Sequence, residues 1–209
     1  MIRILIADDH PLILKGLKIL IDEESDMKIV DIAIDGSEAL KKLRTNKYDI
    51  AVMDISMPKK TGVEILEELK YEKIKTPILI LSVYPEEQYA MRLIKTGASG
   101  YLTKDTAPEE LVTAIRKIVS GGKYISKNLT SKMIEEITEP THKKPHELLS
   151  NREFRVMCLI ATGKSLKEIG DELNINIKTV STYRTRLLEK MKMETNAQLT
   201  RYAMENKLI

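Results

Sequence analysis

Three acidic residues, a hydroxyl and a lysine stand at the ends of short β-branched runs. Asp8 and Asp9 follow Ile2–Ala7, Asp54 follows Ile50–Met53, Ser82 follows Ile78–Leu81, and Lys104 comes just after Gly100–Leu102. If these runs are strands of one parallel sheet, all five side chains come to the same edge, where such sheets hold their ligands. Three carboxylates gathered there repel one another unless a hard cation sits among them, and Mg²⁺ takes oxygen ligands supplemented by water. With a cation screening the approach of a phosphoryl donor, Asp54 can act as a nucleophile and form an acyl phosphate. Lys104 and Ser82 are suited to hold the phosphoryl oxygens by charge and by hydrogen bond. Taken singly, each of these residues also reads as a turn or cap, and Asp8-Asp9 before His10-Pro11 as the start of a helix.

The elements that must position them follow from periodicity. Strands are expected at Ile2–Ala7, Lys28–Ile34, Ile50–Met53, Ile78–Leu81 and Gly100–Leu102, and helices near Leu12–Asp22, Ser37–Thr45, Gly62–Tyr71, Glu86–Thr96 and Pro108–Ser120, with Ser37 and Pro108 as start signals. Five strands alternating with five helices imply an α/β domain, a doubly wound five-stranded parallel sheet covered on both faces, because each return to a parallel neighbour needs a crossover. We place this domain at residues 1–122. After Gly121-Gly122 come a weak helix near Leu129–Ile137 and a polar, proline-bounded stretch from Glu139 to Pro145, read together as a linker over 123–146.

Residues 147–209 form a small all-α domain in this reading, with helices at Asn151–Thr162, Leu166–Leu173, Ile177–Lys192 and Asn196–Asn206. Ser150 with Glu153 makes a capping box, and Gly163 is a stop signal. The second and third helices, joined by Asn174-Ile175-Asn176, have helix-turn-helix dimensions. Ile169, Leu173, Ile175, Val180, Leu187, Leu188 and Met191 would face inward. Lys178, Thr179, Ser181, Thr182, Arg184 and Thr185 would face outward, where short hydroxyl side chains and arginine suit groove and phosphate contacts of double-stranded DNA. The last helix carries Leu199, Tyr202, Ala203 and Leu208 in a stripe that could pair with a second copy or pack onto its own domain.

Charge supports this division. The net charge is +3, but residues 1–124 carry 19 basic against 20 acidic side chains and residues 125–209 carry 15 against 11. Five basic residues and one acid, Glu189, lie between Lys178 and Lys192, a local polyanion-binding pattern. With 209 residues, 43% of them hydrophobic, the chain can fill two cores. Cys158, the single cysteine, excludes an internal disulfide and suits a buried thiol. The run Ile2–Ala7 is too short for a signal peptide, and no apolar run reaches membrane-spanning length, so a cytoplasmic protein without membrane contact is expected.

The motifs LIADDHP, DIAVMDISMPKKTG, ILILSVY and GASGYLTKD, in that order, resemble the response-regulator receiver family over about residues 1–120. The resemblance implies that Asp54 is the phosphoacceptor, charged by a sensor histidine kinase, and that Asp8, Asp9, Asp54 and the backbone carbonyl of Ser56 hold Mg²⁺. It matches Ser82 and Tyr101 to a switch pair and Lys104 to the family's lysine. Phosphorylation would add about two negative charges at Asp54, drawing the Ser82 hydroxyl inward and letting Tyr101 rotate into the vacated space. Many receivers have proline after the lysine, whereas Asp105 stands here.

The stretch from Leu148 to Met193 resembles the LuxR/NarL-type DNA-binding domain, through Ser-Asn-Arg-Glu, Ile-Ala-Thr-Gly, Ser-Leu-Lys-Glu-Ile and Lys-Thr-Val. Together the two resemblances point to a NarL/FixJ-type transcription regulator rather than an enzyme. By position, Ser181, Thr182 and Thr185 would face bases, with Lys178, Thr179, Lys167 and Arg184 on or near the backbone. The implied partners are promoter DNA, a second copy of the chain on adjacent half-sites, and RNA polymerase. Many members have lysine and histidine where Ser181 and Tyr183 stand. A phosphohydrolase with an aspartate nucleophile would need a second acid two residues on. Ser56 occupies that position. A receiver whose helical domain docks proteins instead is disfavoured by the concentrated basic charge.

Overall fold

A computed structural model describes residues 1–84, 86–126, 129–131, 144–173 and 175–209. The chain divides into two compact units, Met1–Ser131 and Lys132–Ile209. The expected helix at Leu129–Ile137, the centre of the expected linker and Asn174 of the expected turn lie wholly or largely outside the described residues.

The first unit runs β1 (Ile2–Ala7), α1 (Pro11–Asp22), β2 (Met27–Ala33), α2 (Gly36–Thr45), β3 (Ile50–Asp54), α3 (Gly62–Tyr71), β4 (Ile78–Ser82), α4 (Glu86–Thr96), β5 (Gly100–Thr103) and α5 (Ala107–Val119). Its strands form one sheet in the order β2-β1-β3-β4-β5, every pairing parallel. The continuous apolar character of β3 and β4 has its reason here, since both are buried along their whole length between layers of helices. A core cluster joins Ile4, Ile6, Ile50, Val52 and Leu79 of the sheet to Leu17 and Ile21 of α1 and to Leu111, Ile115 and Ile118 of α5.

Sheet register decides what meets at the carboxyl edge. Ala7 lies opposite Met53, and Asp54 lies opposite Leu81, so Asp8 emerges level with Asp54. Ser82 pairs with Thr103, which brings Lys104 to the same end. The chain turns to one side of β1 to form β2 and to the other to form β3, so Asp8 and Asp54 flank the point where the winding reverses, a position that opens a crevice.

Helix limits follow local capping. Helix α2 starts at Gly36 rather than Ser37, because the Asp35 carboxylate accepts from the Glu38 amide at 2.9 Å. Glycine is required there: a Cβ at Gly36 would stand 1.9 Å from the Lys60 carbonyl oxygen. Thr61 and Glu64 close a capping box on α3. Beyond α5, Tyr124 bridges to Gly100, and its carbonyl accepts from the Tyr101 amide at 3.1 Å, so the first unit's hydrogen bonding continues past residue 122.

The second unit contains a short 3₁₀ turn at Pro145–Leu148, then α6 (Asn151–Ala161), α7 (Leu166–Leu173), α8 (Ile177–Met191) and α9 (Asn196–Glu205). The Ser150–Glu153 capping box starts α6, and Gly163 follows it at φ +88°, a left-handed conformation that glycine takes without strain. The 3₁₀ turn was not expected from the sequence. It is anchored by His146, whose Nδ1 lies 2.8 Å from the Tyr202 hydroxyl. Cys158 is buried and unbridged, as expected. Of the two expectations for the stripe Leu199, Tyr202, Ala203 and Leu208, packing onto its own domain is the one seen: Leu199, Ala203 and Leu208 are buried and Tyr202 is half-buried. A four-helix unit this small draws on this face for its own core, while Met204 of the same helix stays exposed. Among the described residues no helix is long and apolar enough to cross a membrane.

Candidate phosphoacceptor pocket and nucleic-acid interface

Asp8 and Asp54 are almost fully buried at the carboxyl edge, and Ser82 is fully so. The Lys104 ammonium reaches into the pocket, 2.7 Å from Asp8 Oδ2 and 3.4 Å from Asp54 Oδ1, while the Lys104 amide donates to the Ser82 carbonyl at 2.8 Å and fixes the root of the side chain. The Ser56 amide donates to Asp54 Oδ2 at 3.2 Å, which sets Ser56 directly beside the carboxylate. Burial raises the Asp54 carboxyl above the ordinary carboxylate range; the Lys104 charge pulls it back and the Asp8 charge adds to the rise.

Fitness for a divalent cation can be judged from the donor atoms. One ligand atom from each of Asp8, Asp9, His10 and Asp54 lies within 4.8 Å of the others. Asp8 Oδ2 and Asp9 Oδ1 are buried, Asp8 Oδ2 against the Lys104 ammonium at 2.7 Å and Asp9 Oδ1 beside His10 Nδ1 at 3.0 Å. Buried carboxylate oxygens gathered in this way suit a hard ion.

Ser82 Oγ accepts from the Tyr84 amide at 3.0 Å, and the Tyr101 hydroxyl donates to the Tyr84 carbonyl at 2.6 Å. Tyr101 is therefore already packed inside, only 3% exposed, and burial pushes its phenol well above the usual range. The loop after β5, which has no proline, is held by Thr103 Oγ1, an acceptor from the Thr106 amide at 3.3 Å.

In the second unit, α7 and α8 meet at a close turn. The Ile175 amide donates to the Gly170 carbonyl at 2.9 Å, and a Cβ on Gly170 would lie 2.9 Å from the Ile175 oxygen. Asn176 caps α8 through its side chain. Val180, Leu187, Leu188 and Met191 turn inward, leaving Lys178, Thr179, Ser181, Thr182 and Thr185 exposed on α8 and Lys167 exposed on α7. Arg184 differs. It is half-buried, and its Nε donates to Asn196 Oδ1 at 2.7 Å.

Residues 4–116 match the family model of the response regulator receiver domain, and residues 147–203 match that of the luxR family of bacterial regulatory proteins. The chain belongs to the response regulators. Among relatives of this regulator, the oxygen regulatory protein NreC of Staphylococcus carnosus is 33% identical over 99% of both chains. The response regulator UvrY of Escherichia coli is 34% identical, covering 100% of this chain and 96% of its own. A similar fold occurs in RcsB from Salmonella enterica serovar Typhimurium, bound to promoter rprA in the presence of phosphomimetic BeF3−, with a TM-score of 0.65 at 22% identity over 96% of this chain and 97% of that one. The regulator is thus a two-component transcription regulator of the NarL/FixJ type and not an enzyme by family.

Of the residues singled out in the sequence, the fold gathers Asp8, Asp9, Asp54, Ser56, Ser82, Tyr101 and Lys104 around one edge of the regulator's sheet. It aligns the exposed α8 residues on one helix. Two features escaped sequence reasoning. His10 Nδ1 lies 3.1 Å from Asp8 Oδ1 and 3.0 Å from Asp9 Oδ1; its adjacency to the acid pair was the available signal, read there only as a helix start. Asn196 restrains Arg184 from 12 residues away, across a change of helix, and no local signal marks that pairing.

Proposed function

We propose that Asp54 accepts a phosphoryl group from a sensor histidine kinase and that this event controls promoter binding through α8. The observation that carries this reading is the placement of the Lys104 ammonium between Asp8 and Asp54, at the sheet edge where the Asp9 carboxylate also stands. An Asp54 oxygen attacks phosphorus, the phosphorus–nitrogen bond of the donor phosphohistidine breaks, and the imidazole leaves with the electron pair, giving an acyl phosphate. Asp8, Asp9, Asp54 and the Ser56 carbonyl would hold Mg²⁺, which offsets the negative charge that the donor brings. Lys104 then turns from the carboxylates to the new phosphoryl oxygens.

Ser82 supplies the switch. Its hydroxyl leaves the Tyr84 amide to donate to the phosphoryl group, so the segment at Tyr84 must find new partners. Because Tyr101 already sits inside and holds the Tyr84 carbonyl, the change falls on the segment between β4 and α4 more than on the ring. Movement there biases a pre-existing equilibrium toward self-association and DNA binding.

In the second unit, Ser181, Thr182 and Thr185 face bases, while Lys178, Thr179 and Lys167 meet phosphates. Arg184 acts as a nearby helper once released from Asn196. The working partition is a receiver at 1–122, a linker at 123–146 and a DNA reader at 147–209. The protein works in the cytoplasm, where promoters, RNA polymerase and the kinase's phosphohistidine are available, and two copies read adjacent half-sites. The RcsB promoter complex formed with a phosphomimetic supports this coupling by analogy of fold.

Incubation with Mg²⁺ and acetyl phosphate, followed by intact-mass measurement, tests the reading. One phosphoryl addition is expected, absent in Asp54→Asn; equal labelling of that variant, or labelling at Asp8 or Asp9, overturns it.

A further inference from the structure

We propose that His10 is a further ligand of the cation pocket, and that its imidazole lets the site take a borderline first-row transition ion such as Ni²⁺ in addition to the oxygen-seeking Mg²⁺. The inference rests on the reading of Asp8, Asp9 and Asp54 as a divalent-cation site.

The geometry is that of a ligand edge. His10 Nδ1 is 3.1 Å from Asp8 Oδ1 and 3.0 Å from Asp9 Oδ1. Two ligands at right angles around an ion with bonds of about 2.1 Å stand about 3 Å apart. A ring nitrogen of His10 lies within 4.8 Å of oxygens of Asp8, Asp9 and Asp54. Nδ1 is the ring atom that faces both carboxylates, and an ion arriving between these atoms would meet its lone pair. The rest of the ring is open: the His10 side chain is 62% exposed, so Nε2 can face solvent while Nδ1 serves the pocket. The His10 amide donates to Asp8 Oδ1 at 2.8 Å, so the main chain holds the histidine beside the acid without help from the ring.

The chemical class follows from the donors. Carboxylate, carbonyl and water oxygens suit Mg²⁺, and an added imidazole nitrogen favours ions later in the Irving–Williams order. His10 therefore acts on metal selectivity, independently of the nucleophile.

Isothermal titration of the full chain with MgCl₂ and, separately, NiCl₂ tests this, comparing wild type with His10→Ala and His10→Asn. Asparagine retains an N–H donor for the acid pair but has no ligating ring nitrogen. The ratio of Ni²⁺ to Mg²⁺ affinity should fall about tenfold or more in both variants. An unchanged ratio overturns the proposal while leaving the acidic pocket intact. A parallel loss of both ions in the variants also overturns it, since His10 would then only orient the carboxylates. Failure of the wild type to bind Mg²⁺ would remove the pocket reading itself, and with it this inference.

Discussion

Glu153 shows how one side chain can serve two elements. Its carboxylate is buried, accepts from the Ser150 amide at 2.8 Å and from Lys190 Nζ at 2.6 Å, and so ties the start of α6 to the end of α8. Burial pushes its carboxyl up, but Lys190 and the Ser150 donors outweigh that, and the net displacement is below the ordinary value of 4.5. A carboxyl held low in the folded state contributes stability that is present above its unfolded value and is lost as pH falls through the folded one. Glu153→Gln should therefore destabilise the second unit at pH 7 by about 1–3 kcal/mol, the range for hydrogen bonds to charged groups. The deficit should shrink as pH drops below 4.5, where the wild-type carboxyl also becomes neutral. Thermal unfolding across that range checks it, and a deficit independent of pH would refute the ion-pair account. At this scale the sequence was partly legible. Ser150 and Glu153 are three residues apart and announce a cap, whereas Lys190 is 37 residues from Glu153 and meets it only after three helices have packed.

Helix α8 is the element whose two faces were most readable. Its apolar residues at helical spacing are buried, and its hydroxyl and basic residues are exposed. Thr182 spends its hydroxyl hydrogen on the Lys178 carbonyl at 3.0 Å and still presents an acceptor and a methyl group outward. Thr182→Glu should reduce affinity for duplex DNA at least about tenfold, because a bulky carboxylate is carried into the negatively charged groove at the base edges, while acetyl phosphate labelling stays at the wild-type level. Fluorescence anisotropy and intact mass on the same preparation separate the two effects. If labelling falls too, the substitution has damaged the fold instead of the interface. Element limits were legible to within a residue or two wherever periodicity carried them, as in β3, α4 and α7. They were less so where a side-chain cap decides, as with Asp35 ahead of α2. The stripe on α9 illustrates another limit: spacing identifies an apolar face but not its partner, and here the partner is α6 of the same unit.

At the scale of the molecule, the two units obey different architectural rules. Strand order β2-β1-β3-β4-β5 was expected in kind, because alternating strands and helices permit little besides parallel crossovers. The 3₁₀ turn at Pro145–Leu148 was not, since its anchor, Tyr202, lies 56 residues away. The parallel sheet also bears on how the protein comes into being. Each strand pairing in the first unit closes over an intervening helix, whereas the backbone hydrogen bonds of α6 to α9 close within a helical turn and only the side-chain packing, of α6 against α8 and α9, spans the chain. Non-local topologies fold more slowly than local helical ones. Refolding from denaturant should accordingly be biphasic, with a fast helical phase by circular dichroism and a slower phase in Tyr emission, six of the eight tyrosines lying before residue 125. One shared exponential for both signals would contradict this. Left to itself, the quicker unit would be ready to grip DNA before its controller existed. Ribosomal order works against that hazard: the slow unit emerges first, and adding residues 125–209 takes about 4–17 s at typical elongation rates, a head start written into the order of the two halves.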